Sequence, residues 1–210
     1  ILIGLVSFFA DLSTAMVYPL IPLYLTTVFG ATPAIVGVIE GIAESLASLL
    51  KVFSGYITDK YRKKKPIAFL GYAAGLVYKL VLIIAGSWQG VLAARVIDRF
   101  GKGVRTAPRD VLVSESCDPD KLGHSFGVHK ALDMAGSAAG ILIAFFIMMA
   151  WKGEYAYKQL FLLSCIPAIA SLCMFIFIRE TGDPCDVKEP LHIFQGIKNL
   201  DRRLKLYLTV

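Results

Sequence analysis

The sequence predicts an all-α fold: a polytopic bundle of about six transmembrane helices. Of the 210 residues, 56% are hydrophobic and only 18% are charged. Apolar runs of roughly 20 residues recur, and each is long enough to cross the hydrocarbon core of a bilayer, which is about 30 Å thick. The mean hydropathy of +0.64 exceeds what the surface of a water-soluble domain tolerates. The expected surroundings are therefore a lipid bilayer.

The predicted spans follow one another with short connections. The first three cover about residues 1–29, 33–57 and 67–85, and the last three cover about 90–113, 126–149 and 160–178. The loop between the second and third spans contains the run DKYRKKKP, and loops as basic as this one stay in the cytosol. Alternation from this loop places the uncharged GSWQG turn outside.

Three segments make up the predicted organisation. Residues 1–180 form an N-terminal six-helix transmembrane bundle, 181–205 form a cytosolic central loop with an amphipathic helix, and 206–210 begin a seventh transmembrane helix. The amphipathic helix is predicted because Phe194, Ile197 and Leu204 recur at helical spacing beside basic residues. The chain is therefore expected to continue beyond residue 210 into further transmembrane helices.

Composition argues against several other classes. The net charge of +6 does not indicate a nucleic-acid partner, because the basic residues lie between apolar spans instead of along one soluble face. Disulfides are not expected, since Cys165 and Cys173 lie inside a predicted span and Cys117 and Cys185 in segments placed in the cytosol. No cofactor and no metal site are predicted.

Ionisable side chains inside the predicted spans are the strongest functional signal. Each costs at least about 2.5 kcal/mol at a helix centre on insertion scales, so such groups face the bundle interior or water. Glu40 and Glu44 lie one turn apart in the second span, and Lys51 continues their face. The fourth span places Arg95, Asp98, Arg99, Lys102, Arg105 and Arg109 on or beside one stripe.

These charges predict a hydrated cavity with internal ion pairs. Burial favours the neutral form of a carboxyl group, whereas a nearby Arg or Lys favours the anion, and this competition suits proton coupling. For any single residue, an ion pair that only locks two helices together is an open alternative. The candidates for proton coupling or for lining a substrate cavity are Asp11, Glu40, Glu44, Lys79, Arg95, Asp98, Arg99, Arg105 and Asp133.

Proline and glycine mark predicted helix breaks and close contacts. Proline removes a backbone donor, which a membrane helix tolerates when neighbours satisfy the freed carbonyl group. Glycine lets two helices approach closely, with a hinge as the alternative role. The packing or hinge candidates are Pro19, Pro22, Gly101, Gly103 and Pro108, and the fifth span adds Gly127, Gly136 and Gly140.

Several segments resemble the major facilitator superfamily of transporters. GYITDKYRKK is similar to the loop motif between that family's second and third helices, with Arg62 in place of its second glycine. GKGVRTAP is similar to a glycine and proline arrangement in the fourth helix, although Arg95 and Arg99 both miss the offset of the family's arginine. FADLSTAMVYPLIPLY and GHSFGVHKALDMAGSAAG resemble the first and fifth helices. The resemblance covers essentially the whole chain, as the family's first bundle.

This resemblance implies alternating access, in which two six-helix bundles rock about a site near the bilayer midplane. It also implies a cytosolic gate in which Asp59 pairs with a basic residue at the cytosolic end of the fourth span, for which Arg109 is the candidate. The gate motif comprises Gly55, Asp59, Lys60, Lys63, Lys64 and Arg109. The expected location is a cell membrane, as a multi-pass protein of a bacterial inner membrane.

The predicted function is secondary active transport of a small organic solute, coupled to protons, and not enzymatic. One alternative is an intramembrane enzyme using His124, His129 or Cys117, but the sequence has neither an HExxH nor a GxSxG pattern, and both histidines are interpreted as surface residues. The other alternative is a scaffold or receptor, which does not need such costly charges in its spans. The identity of the substrate is not predicted.

Overall fold

The computed structural model describes residues 2–61, 64–118, 121–151 and 153–178, without the side chains of Val52 and residues 56–61. Every regular element in these ranges is helical, and together they form six spans, so the predicted all-α bundle is confirmed. The helices are α1 (Leu2–Val17), α2 (Ile21–Phe29), α3 (Pro33–Tyr61), α4 (Lys64–Ile84), α5 (Trp88–Glu115), α6 (Leu122–Ala150) and α7 (Glu154–Ile176). The predicted central loop and seventh helix lie outside the described residues.

The first span is broken in its C-terminal half. A single 3-10 turn, Tyr18–Leu20, separates α1 from α2. Pro19 lies within that turn and Pro22 lies in the first turn of α2, and neither residue has an N–H group to donate. Gly30 ends α2 with a φ of 61°, a left-handed conformation that glycine adopts without steric cost.

Several helices extend further than the hydropathy pattern indicates. The predicted basic loop between the second and third spans is too long, because α3 continues to Tyr61 and α4 already begins at Lys64. Likewise, α6 begins at Leu122 and α7 at Glu154, ahead of the apolar runs that predicted them. Polar residues that project beyond the hydrocarbon remain helical, and an apolar window does not detect them.

Four of the spans are long and apolar enough to cross a membrane: Leu2–Phe29, Lys64–Ile84, Leu122–Ala150 and Glu154–Ile176. The other two, α3 and α5, have 29 and 28 residues, more than the roughly 20 that a span needs. They carry most of the intramembrane charges and pack against each other. The charged side chains are therefore concentrated at one helix pair.

Glycines bring α5 close to both of its main neighbours. A Cβ atom on Gly101 would lie 2.7 Å from the backbone oxygen of Gly71 on α4, and one on Gly103 would lie 2.7 Å from the Cβ of Leu50 on α3. On α6, Cβ atoms at Gly136 and Gly140 would collide with the Phe8 and Leu12 carbonyl groups of α1. At Gly127, no other helix of the described residues comes within 4 Å of the Cβ position, so the predicted close contact is not found there.

Two apolar cores lie at opposite ends of the bundle. One includes Met16 and Val91, and the other includes Val6 and Leu112. On α1, Asp11 lies between Val6 and Met16, and the arginines of α5 lie between Val91 and Leu112. The ionisable groups therefore form a charged layer between two apolar cores.

Candidate functional site

Four arginines of α5 each reach a carboxylate on another helix within the charged layer. The pairs are Arg95–Glu40, Arg99–Glu44, Arg105–Asp11 and Arg109–Asp133. Two of these carboxylates belong to α3, one belongs to α1 and one to α6. The structure thus brings together most of the predicted cavity residues, with α5 as the helix they share.

Arg95 is held firmly. Its side chain is 1% exposed, and its Nε donates a hydrogen bond to Glu40 Oε1 at 2.9 Å while Nη2 donates to Glu40 Oε2. A third hydrogen bond runs from Nη1 to Asp98 Oδ2 at 3.3 Å. Forked hydrogen bonds between a guanidinium and a carboxylate are strong and geometrically restrictive, so this arginine ties α5 to α3.

Arg99 lies one turn further along α5 and is held much less firmly. Its Nη1 is 3.4 Å from Glu44 Oε2, and its Nε is 4.0 Å from Asp98 Oδ2. The Nε atom is buried and has no hydrogen-bond partner among the described residues. Whereas the Arg99 side chain is 4% exposed, the Glu44 side chain is 58% exposed.

Tyr18 covers both guanidinium groups from the broken part of the first span. Its ring centroid is 4.7 Å from Cζ of Arg95 and 4.9 Å from Cζ of Arg99, within the range of a cation–π interaction. Sequence reasoning considered the prolines of YPLIP and overlooked this tyrosine. An aromatic residue at a helix break was the available signal, but the arginines that it contacts belong to a different span.

Arg105 connects α5 to α1 and α4. Its Nη2 is 3.6 Å from Asp11 Oδ1, and its guanidinium lies 4.7 Å from the ring centroid of Tyr72. The Tyr72 hydroxyl in turn lies 3.4 Å from Ser7 Oγ on α1. One cation therefore links three helices.

Arg109 takes part in a second cluster on α6. It contacts Asp110 at 3.1 Å and Asp133 Oδ2 at 3.7 Å, and His129 Nε2 lies 3.8 Å from Asp133 Oδ1. Both ring nitrogens of His129 and the Oδ1 of Asp133 are buried without a hydrogen-bond partner in the described chain. Interpreting His129 as a surface residue is wrong, because it is 7% exposed, whereas His124 is exposed.

The two ends of the predicted stripe on α5 meet different helices. Arg95 and Arg99 reach α3, whereas Arg105 and Arg109 reach α1 and α6. Lys102 joins neither pair of contacts and is exposed. The difference arises along the helix axis, since Arg95 and Arg109 lie only about 40° apart around the helix but about 21 Å apart along it.

Lys79 is buried within α4. Its Nζ donates a hydrogen bond to the Gly75 carbonyl oxygen at 2.7 Å and lies 4.4 Å from the ring centroid of Tyr78. No carboxylate of the described residues comes within ion-pair distance of it. Its environment is thus a backbone carbonyl and an aromatic ring.

The structure describes only some residues of the predicted gate motif. Lys64 forms an ion pair with Glu115 at the end of α5, and a Cβ on Gly55 would make an ordinary contact of 3.9 Å with Ala107. The side chains of Asp59 and Lys60, and the whole of Lys63, lie outside the described residues. The pairing of Asp59 with Arg109 remains a prediction.

The described residues contain no group of three or more His, Cys, Asp or Glu side chains arranged to hold a metal ion. Cys117, Cys165 and Cys173 are free thiols. The charged layer offers carboxylates and guanidinium groups, which are chemically able to pair with charged or polar ligands.

Comparison of the sequence with known proteins identifies relatives along the whole chain. Residues 3–204 match the family model of the Major Facilitator Superfamily. The chain is 35% identical over 209 residues to an uncharacterized MFS-type transporter of Methanocaldococcus jannaschii, which covers 100% of this chain and 51% of that protein. The chain therefore spans about half the length of this relative.

Solved structures share the fold at low sequence identity. A peptide transporter, POT, superposes with a TM-score of 0.71 at 16% identity, covering 83% of this chain and 36% of that chain. A D-xylose–proton symporter superposes with a TM-score of 0.69 at 18% identity, covering 99% of this chain and 54% of that chain. In both proteins the similar region is a fraction of a longer chain.

Proposed function

Because this chain belongs to the major facilitator superfamily, we propose that it is one half of a secondary active transporter that moves a small organic solute by alternating access, coupled to protons. The proposal places the protein in a cell membrane, as in a bacterial inner membrane. It assigns residues 181–205 to a cytosolic connection that leads into a second six-helix half. The substrate site would lie between the two halves.

One observation carries the proposal: the charged face of α3 and α5 is open. Glu44 is 58% exposed, and Ser48, Lys51 and Lys102 are exposed as well. A charge on a membrane span cannot face hydrocarbon cheaply, so such residues face water or another part of the protein. This open face therefore supports a hydrated site that a second bundle completes.

The ion pairs of α5 supply a physical means of changing conformation. Together the pairs join α5 to three helices, α3, α1 and α6, so one pair can break while another forms, and the total burial of charge changes little. The 3-10 turn that contains Tyr18 already interrupts the helix, so the first span can bend there without losing further backbone hydrogen bonds. Such exchangeable contacts suit an element with two discrete arrangements.

Glu44 is the favoured site of proton coupling. Glu40, Glu44 and Asp98 surround the two guanidinium groups of Arg95 and Arg99, so the carboxylates of this cluster outnumber its guanidinium groups by one. A single proton on a carboxylate would equalise the two counts. Glu44 is the most exposed of the three carboxylates and contacts only the loosely held arginine, so water reaches it most easily.

Two-sided labelling tests alternating access without knowledge of the substrate. The full-length protein, with its native cysteines replaced, carries the single reporter Ser48→Cys on the open face of α3. A membrane-impermeant maleimide is then applied from either side of proteoliposomes of known orientation. Labelling from both sides supports alternating access, whereas labelling from one side alone indicates a static scaffold.

The matched control is Ile166→Cys. Ile166 is exposed on the apolar surface of α7, which is expected to contact lipid. The reagent should not react with it from either side.

A further inference from the structure

We propose that Arg99, Tyr18 and Glu44 form a subsite for the carboxylate group of an organic anion. In the structure, the carboxylate of Glu44 lies where the carboxylate of the ligand would bind. This inference rests on the proposed transport function and adds the chemical class of the solute. It assigns different roles to two adjacent arginines that the sequence does not distinguish.

The difference between the two arginines is the first step. Arg95 makes three hydrogen bonds to carboxylates and is fixed by Glu40 and Asp98. No hydrogen bond of the Arg99 side chain is found in the described part of the chain, and its buried Nε is without a partner. A buried donor without an acceptor is costly. Arg99 therefore has capacity for a ligand, whereas Arg95 is a scaffold.

The second step concerns Glu44 as an exchangeable counter-ion. Its Oε2 atom is 3.4 Å from Arg99 Nη1, and its side chain is more than half exposed. Glu44 therefore leaves Arg99 at little cost in buried contacts. A free carboxylate is planar and accepts two parallel hydrogen bonds from a guanidinium group, so it replaces a loosely held side chain with a better-fitting acceptor.

Tyr18 completes the subsite. Its ring lies against the Arg99 guanidinium, and the residue is 43% exposed. The exposed part of the ring offers an apolar surface for the carbon skeleton that carries the carboxylate. Tyr18 also lies in the 3-10 turn, so bending of the first span would move the ring relative to Arg99.

Charge balance determines how the ligand binds. The cluster holds three carboxylates and two guanidinium groups, and a ligand carboxylate would add a fourth carboxylate unless Glu44 moved away. Anion binding is therefore expected to displace Glu44 from Arg99. An organic cation would pair with the carboxylates but leave the Arg99 donors without an acceptor.

Thermal unfolding of the purified full-length protein tests this subsite. The probes are benzoate, lactate and succinate, each compared with its uncharged amide, together with choline as an organic cation. We expect at least one carboxylate to raise the Tm more than its amide does. In Arg99→Gln that carboxylate should bind at least about tenfold more weakly, because charge-assisted hydrogen bonds are lost.

Glu44→Ala is the second variant. Because the Glu44 side chain is exposed, the substitution should leave folding intact. Removing the competing carboxylate should strengthen binding of the same anion. Lys158→Gln on α7 removes one cation from an exposed ion pair and serves as the control with unchanged binding. An unchanged response in Arg99→Gln, weaker binding in Glu44→Ala, or stabilisation by choline alone would overturn the subsite.

The result is separable from the test of transport. If Ser48→Cys reacts from both sides and no carboxylate stabilises the protein more than its amide, the transport proposal stands and the carboxylate subsite is rejected. If carboxylates bind through Arg99 while labelling stays one-sided, the subsite stands and alternating access is rejected.

Discussion

Arg95 binds Glu40 through two hydrogen bonds that join α5 to α3 inside the membrane-spanning part of the bundle. The same guanidinium reaches Asp98 on its own helix, so three of its donors are used by carboxylates. One turn away, the neighbouring Arg99 has no such set of partners. Arg95 thus has three hydrogen bonds to carboxylates, whereas no side-chain hydrogen bond of Arg99 is found among the described residues.

Arg95→Leu should strongly destabilise the protein. The substitution leaves Glu40 and Asp98 without their guanidinium partner, and breaking a buried ion pair on one side costs about 3–5 kcal/mol. The measurement is thermal unfolding of the full-length protein in detergent. Lys158→Leu breaks the exposed pair with Glu154 and should leave the Tm nearly unchanged. Equal effects of the two variants would contradict the structural role of Arg95.

Gly101→Ala should separate α5 from α4. The added methyl group would meet the backbone oxygen of Gly71 at 2.7 Å, and overpacking of this kind costs about 1–3 kcal/mol. Gly127→Ala is the control, since its methyl group meets no other helix of the described residues within 4 Å, and alanine favours a helix over glycine by about 0.5–1 kcal/mol. Unfolding should show a lower Tm for the first variant and an equal or higher Tm for the second.

His129→Leu should leave the Tm equal to or above that of the unsubstituted protein. The change removes two buried ring nitrogens that have no hydrogen-bond partner in the described chain. Asp133→Leu should lower the Tm, because it deprives Arg109 of its carboxylate on α6. Thermal unfolding in detergent should therefore give a lower Tm for Asp133→Leu than for His129→Leu. Strong destabilisation by His129→Leu would show that this histidine has a partner essential to the fold.

Asp59→Asn tests the gate that the family motif predicts. If Asp59 holds the cytosolic side closed by pairing with Arg109, the substitution should increase labelling of the Ser48→Cys reporter from the cytosolic side and slow transport. The amount of protein in the membrane should not change. Glu154→Gln, at the start of α7, is the control. An unchanged ratio between the two sides would remove Asp59 from the gate.

The sequence predicts the fold well, because bilayer thickness dictates span length and lipid dictates apolar surfaces. Length and hydropathy mark four of the spans, whereas α3 and α5 are spans in spite of their charges. The helix break lies at the YPLIP run, as the prolines indicate. Helix ends are less predictable. Leu122 and Glu154 begin their helices in polar sequence, where hydrogen bonding within the helix continues without an apolar signal.

The candidate site was predictable as a set of residues but not as a set of contacts. Arg105 and Asp11 can each be identified from the sequence because each is a charged residue inside a span. Only the packing of α5 against α1 shows that they are partners. The sequence around Tyr18 and His129 does not reveal their contacts. Tyr18 resembles an interfacial aromatic residue, and His129 resembles a surface histidine. Their roles depend on helices distant in the sequence.

The most direct test of the account is the pH dependence of two-sided labelling at Ser48→Cys. The ratio of labelling from the two sides cancels the intrinsic effect of pH on the thiol, provided that both sides are held at the same pH. We expect the ratio to change with pH in the otherwise unsubstituted protein and to become independent of pH in Glu44→Gln. A reporter that reacts from one side only, or a ratio that changes identically in both proteins, would contradict proton-coupled alternating access through Glu44.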